Sequence, residues 1–204
     1  MTAQQIDIRG LHHAAYRCKD SEKTRAFYED FLGLPLADAF EISTTMTGRK
    51  TRVLHSFYGM GDGSCIAFFE APDRPFEFKD QHDFDLHIAV EVDMDTLHAM
   101  FEKGKSEGMA PRGISDHGFI HSIYFRDPLG QRVELSCYKF EPPVGVTHSQ
   151  VLFEAHKLRV AEGAYNILDS HLANAIEMLT KRDQRSLSED REPKHAYPQP
   201  VAGP

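Results

Sequence analysis

Hydrophobic and polar positions follow the same order twice along the first 140 residues. The segment LHHAAYRCKDSEKTRAFYEDFLGLPL opens with the alternation typical of a strand and continues with apolar positions spaced as on one face of a helix. The segment DLHIAVEVDMDTLHAMFEKGKSEGM repeats this order. In both copies a histidine begins the strand and a phenylalanine lies fourteen residues later, at His13 and Phe27 and at His87 and Phe101. The pattern therefore predicts an internal repeat.

Apolar sequence interrupted by turn residues follows each predicted helix and is suited to further strands. It includes 51–58 and 64–70 in the first copy, and 120–125 and 132–138 in the second. Each repeat is therefore predicted to fold as βαβββ, over about 8–71 and 84–140. A unit with one open sheet face cannot bury that face alone, so the two units are expected to pair into a curved half-barrel sheet around a cleft. This is an α+β fold over 8–140, and such clefts commonly bind small molecules.

The pattern changes after the Pro142-Pro143 pair. Apolar residues then recur every seven positions, at Val151, Leu158, Tyr165, Leu172 and Leu179. This spacing predicts a long C-terminal helix over 147–180. Two alternatives stay open for its apolar face, which would pack either along its own domain or against a second copy in a homodimer. The charged and proline-rich residues 181–204 are predicted to be disordered.

Composition and charge narrow the class of partner. The chain has 204 residues with 41% hydrophobic content, which is enough for a globular core. A formal net charge of -8 disfavours nucleic acid as a partner and favours small molecules. The three cysteines show no CxxC spacing, which argues against a disulfide framework or a zinc–thiolate site. Because there is no long apolar run and no secretion leader, no membrane partner is expected and the chain is expected to be cytoplasmic.

Strand alternation points to a group of polar side chains on one face. In each strand the apolar set is expected to pack under the helices, which leaves His13, His87 and Glu134 on the concave face. Two imidazoles and one carboxylate suit a divalent first-row metal. The alternative is that each is an ordinary polar residue on a solvent-facing strand edge, but the equivalent positions of His13 and His87 in the two copies favour a metal. Glu70, which closes the fourth strand of the first copy, is open to three interpretations: a fourth ligand, a base for proton transfer, or a strand-end carboxylate in water.

The paired βαβββ units and the DPLG turn before VELS resemble the vicinal oxygen chelate superfamily. This superfamily includes glyoxalase I, methylmalonyl-CoA epimerase, fosfomycin and bleomycin resistance proteins, and extradiol dioxygenases. The resemblance covers roughly residues 8–140. Within it, HGFIHSIYFRDPLGQRVE is similar to the signature of the extradiol ring-cleaving dioxygenases.

The resemblance to extradiol dioxygenases implies that His13, His87 and Glu134 bind Fe(II), with Ni, Zn or Mn as alternative metals. It implies a catechol-like aromatic substrate that chelates the iron, and dioxygen as the second substrate. Tyr124 would hydrogen-bond a substrate oxygen, with His117 assisting. The family's catalytic histidine near the start of the fourth strand is replaced here by Gly63-Ser64-Cys65. The candidates for its role are His55, His117 and His121.

Two rival functions follow from the same superfamily. Glu70 matches the fourth ligand of glyoxalase I, which implies a glyoxalase- or epimerase-type isomerase that uses nickel or zinc. Its ligands would be His13, Glu70, His87 and Glu134. The third hypothesis is a non-catalytic protein similar to the bleomycin-sequestering members, which typically lack the metal ligands. The dioxygenase is the leading hypothesis because the signature around Tyr124 matches in order.

Overall fold

The computed structural model describes residues 10–79, 82, 84–109 and 111–184, with only the backbone of 182–184. The chain forms two compact units. The first unit comprises Met1–Ile114 and Ser122–Ser136, and the second comprises Ser115–His121 and Cys137–Pro204. The first repeat lies within the first unit, whereas the second repeat is divided between the two units.

The first repeat forms a four-stranded sheet with one helix. Its strands are β1 His13–Cys18, β2 Leu36–Thr44, β3 Lys50–Gly59 and β4 Cys65–Glu70, and its helix α1 Ser21–Arg25 continues as a π-helical segment Ala26–Phe31. The Asp20 side chain caps α1 by accepting hydrogen bonds from two backbone amides. The strand order is β1-β4-β3-β2, with β1 parallel to β4.

The second repeat has the same topology. It consists of β5 Ile88–Glu91, α2 Met94–Ser106, β6 Ser115–Asp116, β7 Ile120–Arg126 and β8 Arg132–Tyr138. The strand order β5-β8-β7-β6 corresponds position by position to that of the first sheet. The predicted α+β fold with two βαβββ modules is therefore confirmed.

Aromatic side chains and one buried hydrogen bond join the two modules within the first unit. Tyr28 is fully buried, and its hydroxyl donates to the Asp127 carboxylate at 3.2 Å. The rings of Phe31 and Phe125 meet edge to face, with 5.1 Å between their centroids. The Lys103 ammonium donates to the carbonyl of Phe31 at 2.6 Å. These contacts pack the helical segment of the first module against the second module.

The second unit holds two helices, α3 His148–Ala161 and α4 Asp169–Gln184. The prediction of one helix over 147–180 is therefore wrong. Gly163 follows the end of α3 with a φ of 69°, a left-handed conformation that ends a helix. Four of the five heptad residues, Val151, Leu158, Leu172 and Leu179, pack in or against one core shared by the two helices, whereas Tyr165, between the helices, is exposed. That core contains Val151, Ala155, Leu172 and Ala175.

The core between α3 and α4 shows that the apolar face packs within its own unit. The homodimer contact stays a prediction. Helix α4 continues to Gln184, so residues 181–184 are helical and not disordered as predicted. The rest of the predicted disordered tail, 185–204, lies outside the described residues. None of the helices in the described ranges has both the length and the apolarity needed to cross a membrane.

Candidate metal centre

A buried carboxylate lies on the polar face of the second sheet. Glu134 is 6% exposed, in β8 between two core residues that point the other way. Its Oε1 accepts hydrogen bonds from Tyr124 at 3.2 Å and from Ser136 at 2.9 Å. The Ser136 hydroxyl lies 3.1 Å from that of Ser122. A buried carboxylate needs such partners, and its Oε2 faces one further group.

That group is the imidazole of His87. Its Nε2 lies 3.3 Å from Glu134 Oε2. His87 directly precedes β5, and the register of β5 with β8 pairs Ala89 with Glu134. Because His87 and Ala89 lie on the same face of their strand, this register puts His87 on the same face of the sheet as Glu134. The structure brings together two of the predicted ligands, His87 and Glu134.

The pair fits a divalent metal in chemistry and spacing. Imidazole and carboxylate are both ligands of first-row metals. Two ligands that each lie about 2.1 Å from an ion and at right angles are about 3 Å apart, and the 3.3 Å between Nε2 and Oε2 is close to that separation. The His87 side chain is 41% exposed, so the pair is open on one side.

Tyr124 lies beside the carboxylate in the next strand, β7. Burial raises the pKa of Tyr124, and the negative charge of Glu134 raises it further. The phenol therefore stays protonated at neutral pH and acts as a hydrogen-bond donor. The Arg132 guanidinium lies over the Tyr124 ring, 4.9 Å from its centroid, which holds the ring in place.

His13 occupies the start of β1, as predicted, on a different sheet from the His87–Glu134 pair. Its Nδ1 lies 2.7 Å from Nδ1 of His12, and its ring contacts Phe57 with 5.2 Å between centroids. Among the described residues, no group of three or more His, Cys, Asp or Glu side chains is spaced to hold one metal ion. The structure therefore leaves His13 out of the His87–Glu134 pair.

Glu70 lies on the opposite face of the first sheet from His13. The register pairs His13 with Cys65 and Cys18 with Glu70, and residues an odd number of positions apart along a strand face opposite sides. The Glu70 carboxylate accepts hydrogen bonds from the backbone amide of Ser21, at 3.0 Å, and from its hydroxyl. The structure thus places Glu70 at the start of α1 and not beside His13.

The repeat equivalent of Glu134 is Ala67. In the second module, Glu134 pairs with the residue two positions after His87. In the first module, the residue two positions after His13 is Ala15, and it pairs with Ala67. A methyl group cannot bind a metal. The position in the first module that corresponds to Glu134 therefore has no metal ligand.

The face of the first sheet that carries His13 is aromatic. His55 in β3 is 5% exposed and stacks on Phe69, with 3.7 Å between ring centroids. Phe57 lies 4.2 Å from His55 by the same measure, and Phe40 lies 5.3 Å away. The His55 Nδ1 lies 3.0 Å from the carbonyl oxygen of Phe68. This face was not predicted from the sequence, because it depends on the pairing of β2, β3 and β4.

His117 and His121 belong to the second unit. The His121 Nε2 lies 3.5 Å from the Asp116 carboxylate, which also accepts a hydrogen bond from the Lys139 ammonium at 2.9 Å. The hydrogen bond from Lys139 is the main cause that lowers the pKa of Asp116 to about 2, with Gly118 and His121 contributing. The backbone amide of His117 donates to the carbonyl of Ile120 across a tight turn. The catalytic roles of His117 and His121 stay predictions.

Comparison with known proteins is consistent with this architecture. A family model described as "Glyoxalase/Bleomycin resistance protein/Dioxygenase superfamily" matches residues 10–135, more than half of the chain. No curated protein matches the chain. Among solved structures, the fosfomycin resistance protein FosX from Listeria monocytogenes is similar, with 20% identity and a TM-score of 0.50 over 66% of this chain and 97% of that one.

Two further solved structures show the range of similar proteins. The antibiotic-binding protein TnmS3 from Streptomyces sp. CB03234 has 18% identity and a TM-score of 0.49, over 66% of this chain and 100% of that one. Lactoylglutathione lyase from Agrobacterium tumefaciens has 17% identity and a TM-score of 0.45, over 64% of this chain and 94% of that one. Sequence identities this low are evidence for a shared fold only. The match over residues 10–135 and the repeated βαβββ topology together show that the chain belongs to the glyoxalase/bleomycin resistance protein/dioxygenase superfamily.

Proposed function

We propose that the protein is a metal-dependent enzyme, an Fe(II) extradiol-type dioxygenase that cleaves the ring of a catechol-like aromatic. The observation that supports this choice is Ala67 at the repeat equivalent of Glu134. A symmetric four-ligand site would need a donor at that position. With alanine there, the repeat supplies two histidines and one carboxylate, the set typical of non-haem Fe(II) oxygenases.

In this proposal His87 and Glu134 hold the iron and His13 completes the site. The first two already lie 3.3 Å apart, and the approach of His13 is part of the proposal. When bound, Fe(II) offers coordination positions to the vicinal oxygens of the substrate and to dioxygen. Ser136 and Tyr124 orient the carboxylate through their hydrogen bonds to Oε1, which leaves Oε2 for the metal.

Tyr124 is proposed to position the substrate. Its raised pKa keeps the phenol protonated, so it can donate a hydrogen bond to an oxygen bound near Glu134. The Tyr124 hydroxyl now donates to Oε1 of Glu134. This hydrogen bond gives the direction in which the hydroxyl would donate to a substrate oxygen. Such a donor acts on charge that develops at a substrate oxygen during reaction.

His55 is the proposed acid/base residue among the three candidate histidines. It shares a face with His13, and the two ring centroids are 6.0 Å apart. Because a carbonyl oxygen can only accept, the contact with Phe68 places the proton on Nδ1 and leaves Nε2 as the acceptor. The neighbouring phenylalanines offer apolar surface to an aromatic ring.

The test is oxygen consumption by the full chain, purified and loaded anaerobically with Fe(II), with a panel of substituted catechols. Ring-cleavage products are followed by their visible absorbance. We expect uptake that disappears in Glu134→Ala and persists in Glu41→Ala, a matched change of an exposed carboxylate on β2. An iron-loaded protein that consumes no oxygen with any catechol would refute the dioxygenase proposal.

Glu70→Gln separates the dioxygenase from the isomerase. The amide oxygen of glutamine can still accept the hydrogen bonds from Ser21, so the start of α1 should stay in place. We expect metal content and oxygen uptake to change by less than about twofold. A loss of bound nickel or zinc in Glu70→Gln would instead support the glyoxalase-type function.

A further inference from the structure

A cavity of about 280 Å³ lies where the parallel strands β1 and β4 end. Its walls come from the last residues of both strands and from the segment that follows β4. The charged lining residues are Arg17, Lys19, Arg74 and Glu70, and the ring of Phe76 forms an apolar wall. Arg17 is four residues beyond His13 in β1, which corresponds to about 13 Å at 3.3 Å per residue. The cavity is thus separate from His13.

The lining carries more positive than negative charge. Three of its side chains are cationic and one, Glu70, is a carboxylate that accepts two hydrogen bonds from Ser21. Asp73 is next in sequence to Arg74. Its carboxylate accepts a hydrogen bond from Arg49 at 2.6 Å, and this hydrogen bond lowers the Asp73 pKa. Over the described ranges, no carboxylate lies within ion-pair distance of the three cations. The cavity therefore favours an anion.

The Arg17 guanidinium is held in one orientation. Its Nη2 donates to the carbonyl of Arg74 at 2.6 Å and more weakly to that of Ala71 at 3.4 Å. It also lies over the ring of Phe76, 4.7 Å from the centroid. Its Nε is buried and has no hydrogen-bond partner in the part of the chain that the structure describes. A planar guanidinium held in one orientation matches the geometry of a carboxylate through the N–H groups that Arg74 and Ala71 do not occupy.

We propose that this cavity binds the carboxylate of a small organic anion. Phe76 and the prolines of the segment after β4 supply apolar surface for the body of such a ligand, which inorganic phosphate would not use. The volume is near the lower limit for small-molecule sites. Cys18 forms part of the wall, and burial raises the pKa of its thiol.

The test is a titration of the full chain with benzoate, followed by amide chemical shifts in NMR at low ionic strength. We expect shifts confined to residues 17–19 and 70–76, with benzamide causing none because it lacks the charge. Inorganic phosphate should bind at least threefold more weakly than benzoate. Equal binding of benzamide, or phosphate binding as tightly as benzoate, would overturn the proposal.

Variants of the cationic residues extend the test. Lys19→Gln and Arg74→Gln should each weaken benzoate binding at least threefold, and Arg17→Met at least tenfold. Arg52→Gln, an exposed arginine on β3, is the matched control and should leave binding unchanged. If Arg17→Met does not fold, the other two variants still decide the question. Unchanged affinity in both, or an equal loss in Arg52→Gln, would refute the site.

This titration uses neither metal nor dioxygen. A negative result would therefore leave the dioxygenase proposal as it stands, and a failure of the oxygen-consumption assay would leave the anion site as it stands.

Discussion

The Nε2 of His87 lies 3.3 Å from Oε2 of Glu134, although the two residues are 47 positions apart in the chain. Glu134 is buried and held by two hydroxyl donors, whereas His87 is half-exposed at the start of its strand. The carboxylate is thus the fixed member of the pair. A metal ion bound by both residues would be positioned by Glu134. It would be reached from the side of His87.

Replacing His87 by Ala should weaken metal binding at least tenfold. The variant removes one of the two donors that lie 3.3 Å apart. Loss of a residue that merely orients a ligand commonly costs about 10–100-fold in metal affinity, so the loss of a ligand should cost at least as much. The measurement is anaerobic Fe(II) binding by calorimetry, together with metal content after gel filtration. His98→Ala, an exposed histidine on α2, is the control and should bind as the wild type does. Full metal occupancy in His87→Ala would exclude His87 as a ligand.

Tyr124→Phe should retain the metal and lose activity. The change removes one hydrogen bond to Glu134, but Ser136 still donates to the same oxygen and keeps the carboxylate oriented. Loss of one positioned donor commonly lowers kcat by about 10²-fold or more. Steady-state kinetics of the iron-loaded variant should show this fall in kcat, with iron content unchanged. If iron is lost along with activity, Tyr124 acts on the ligand and not on the substrate.

Gly104→Ala should destabilise the protein, although alanine is the better helix former. A Cβ at position 104 in α2 would stand 2.5 Å from Cε1 of Phe125, closer than real contacts allow. Overpacking of this kind costs about 1–3 kcal/mol, which exceeds the gain of about 1 kcal/mol from helix propensity. Urea unfolding of the two proteins gives the difference in the free energy of unfolding.

A double-mutant cycle identifies the cause of that loss. In a Phe125→Leu background the space beside Gly104 is less filled, so Gly104→Ala should cost less there than in the wild type. An equal cost in both backgrounds would show that the ring of Phe125 is not the obstacle.

Asp116 should contribute stability that disappears in acid. Its folded pKa is lowered to about 2, mainly by the hydrogen bond from Lys139, and lies below the unfolded value of about 3.9. A depressed carboxyl pKa stabilises the fold above the unfolded pKa, and this stability is lost as the pH falls through about 4 to 2. The difference in unfolding free energy between wild type and Asp116→Asn should be greatest above pH 5 and vanish near pH 2. Lys139→Met should remove most of this pH dependence, and a difference that is constant with pH would contradict the assignment.

Local sequence patterns predicted the modules well because they report which face of an element is apolar. The alternation in LHHAAYR and DLHIAVEV placed the two histidines at equivalent positions, and the topology of the two sheets confirms the repeat. The same alternation placed Glu134 opposite its apolar neighbours. The contact of His87 with Glu134 agrees with that placement.

Sequence patterns were less informative about features that depend on which helices or strands pack side by side. The spacing from Val151 to Leu179 is the same for one long helix as for two helices that share a core, and only the turn at Gly163 distinguishes them. The aromatic face around His55 depends on which strands lie side by side. No local signal specifies that pairing.

The sequence by itself determined the βαβββ repeat, the equivalence of His13 and His87 and the position of Glu134 on the face opposite Val133 and Leu135, because these follow from the period of each element. Only the tertiary structure decided the face of Glu70 and the equivalence of Ala67 to Glu134, since both depend on the register between strands far apart in the chain. A shift of one residue in that register would exchange the two faces of a strand. The number of ligands that the repeat can offer to a metal was therefore decided by strand pairing and not by the period of any single strand.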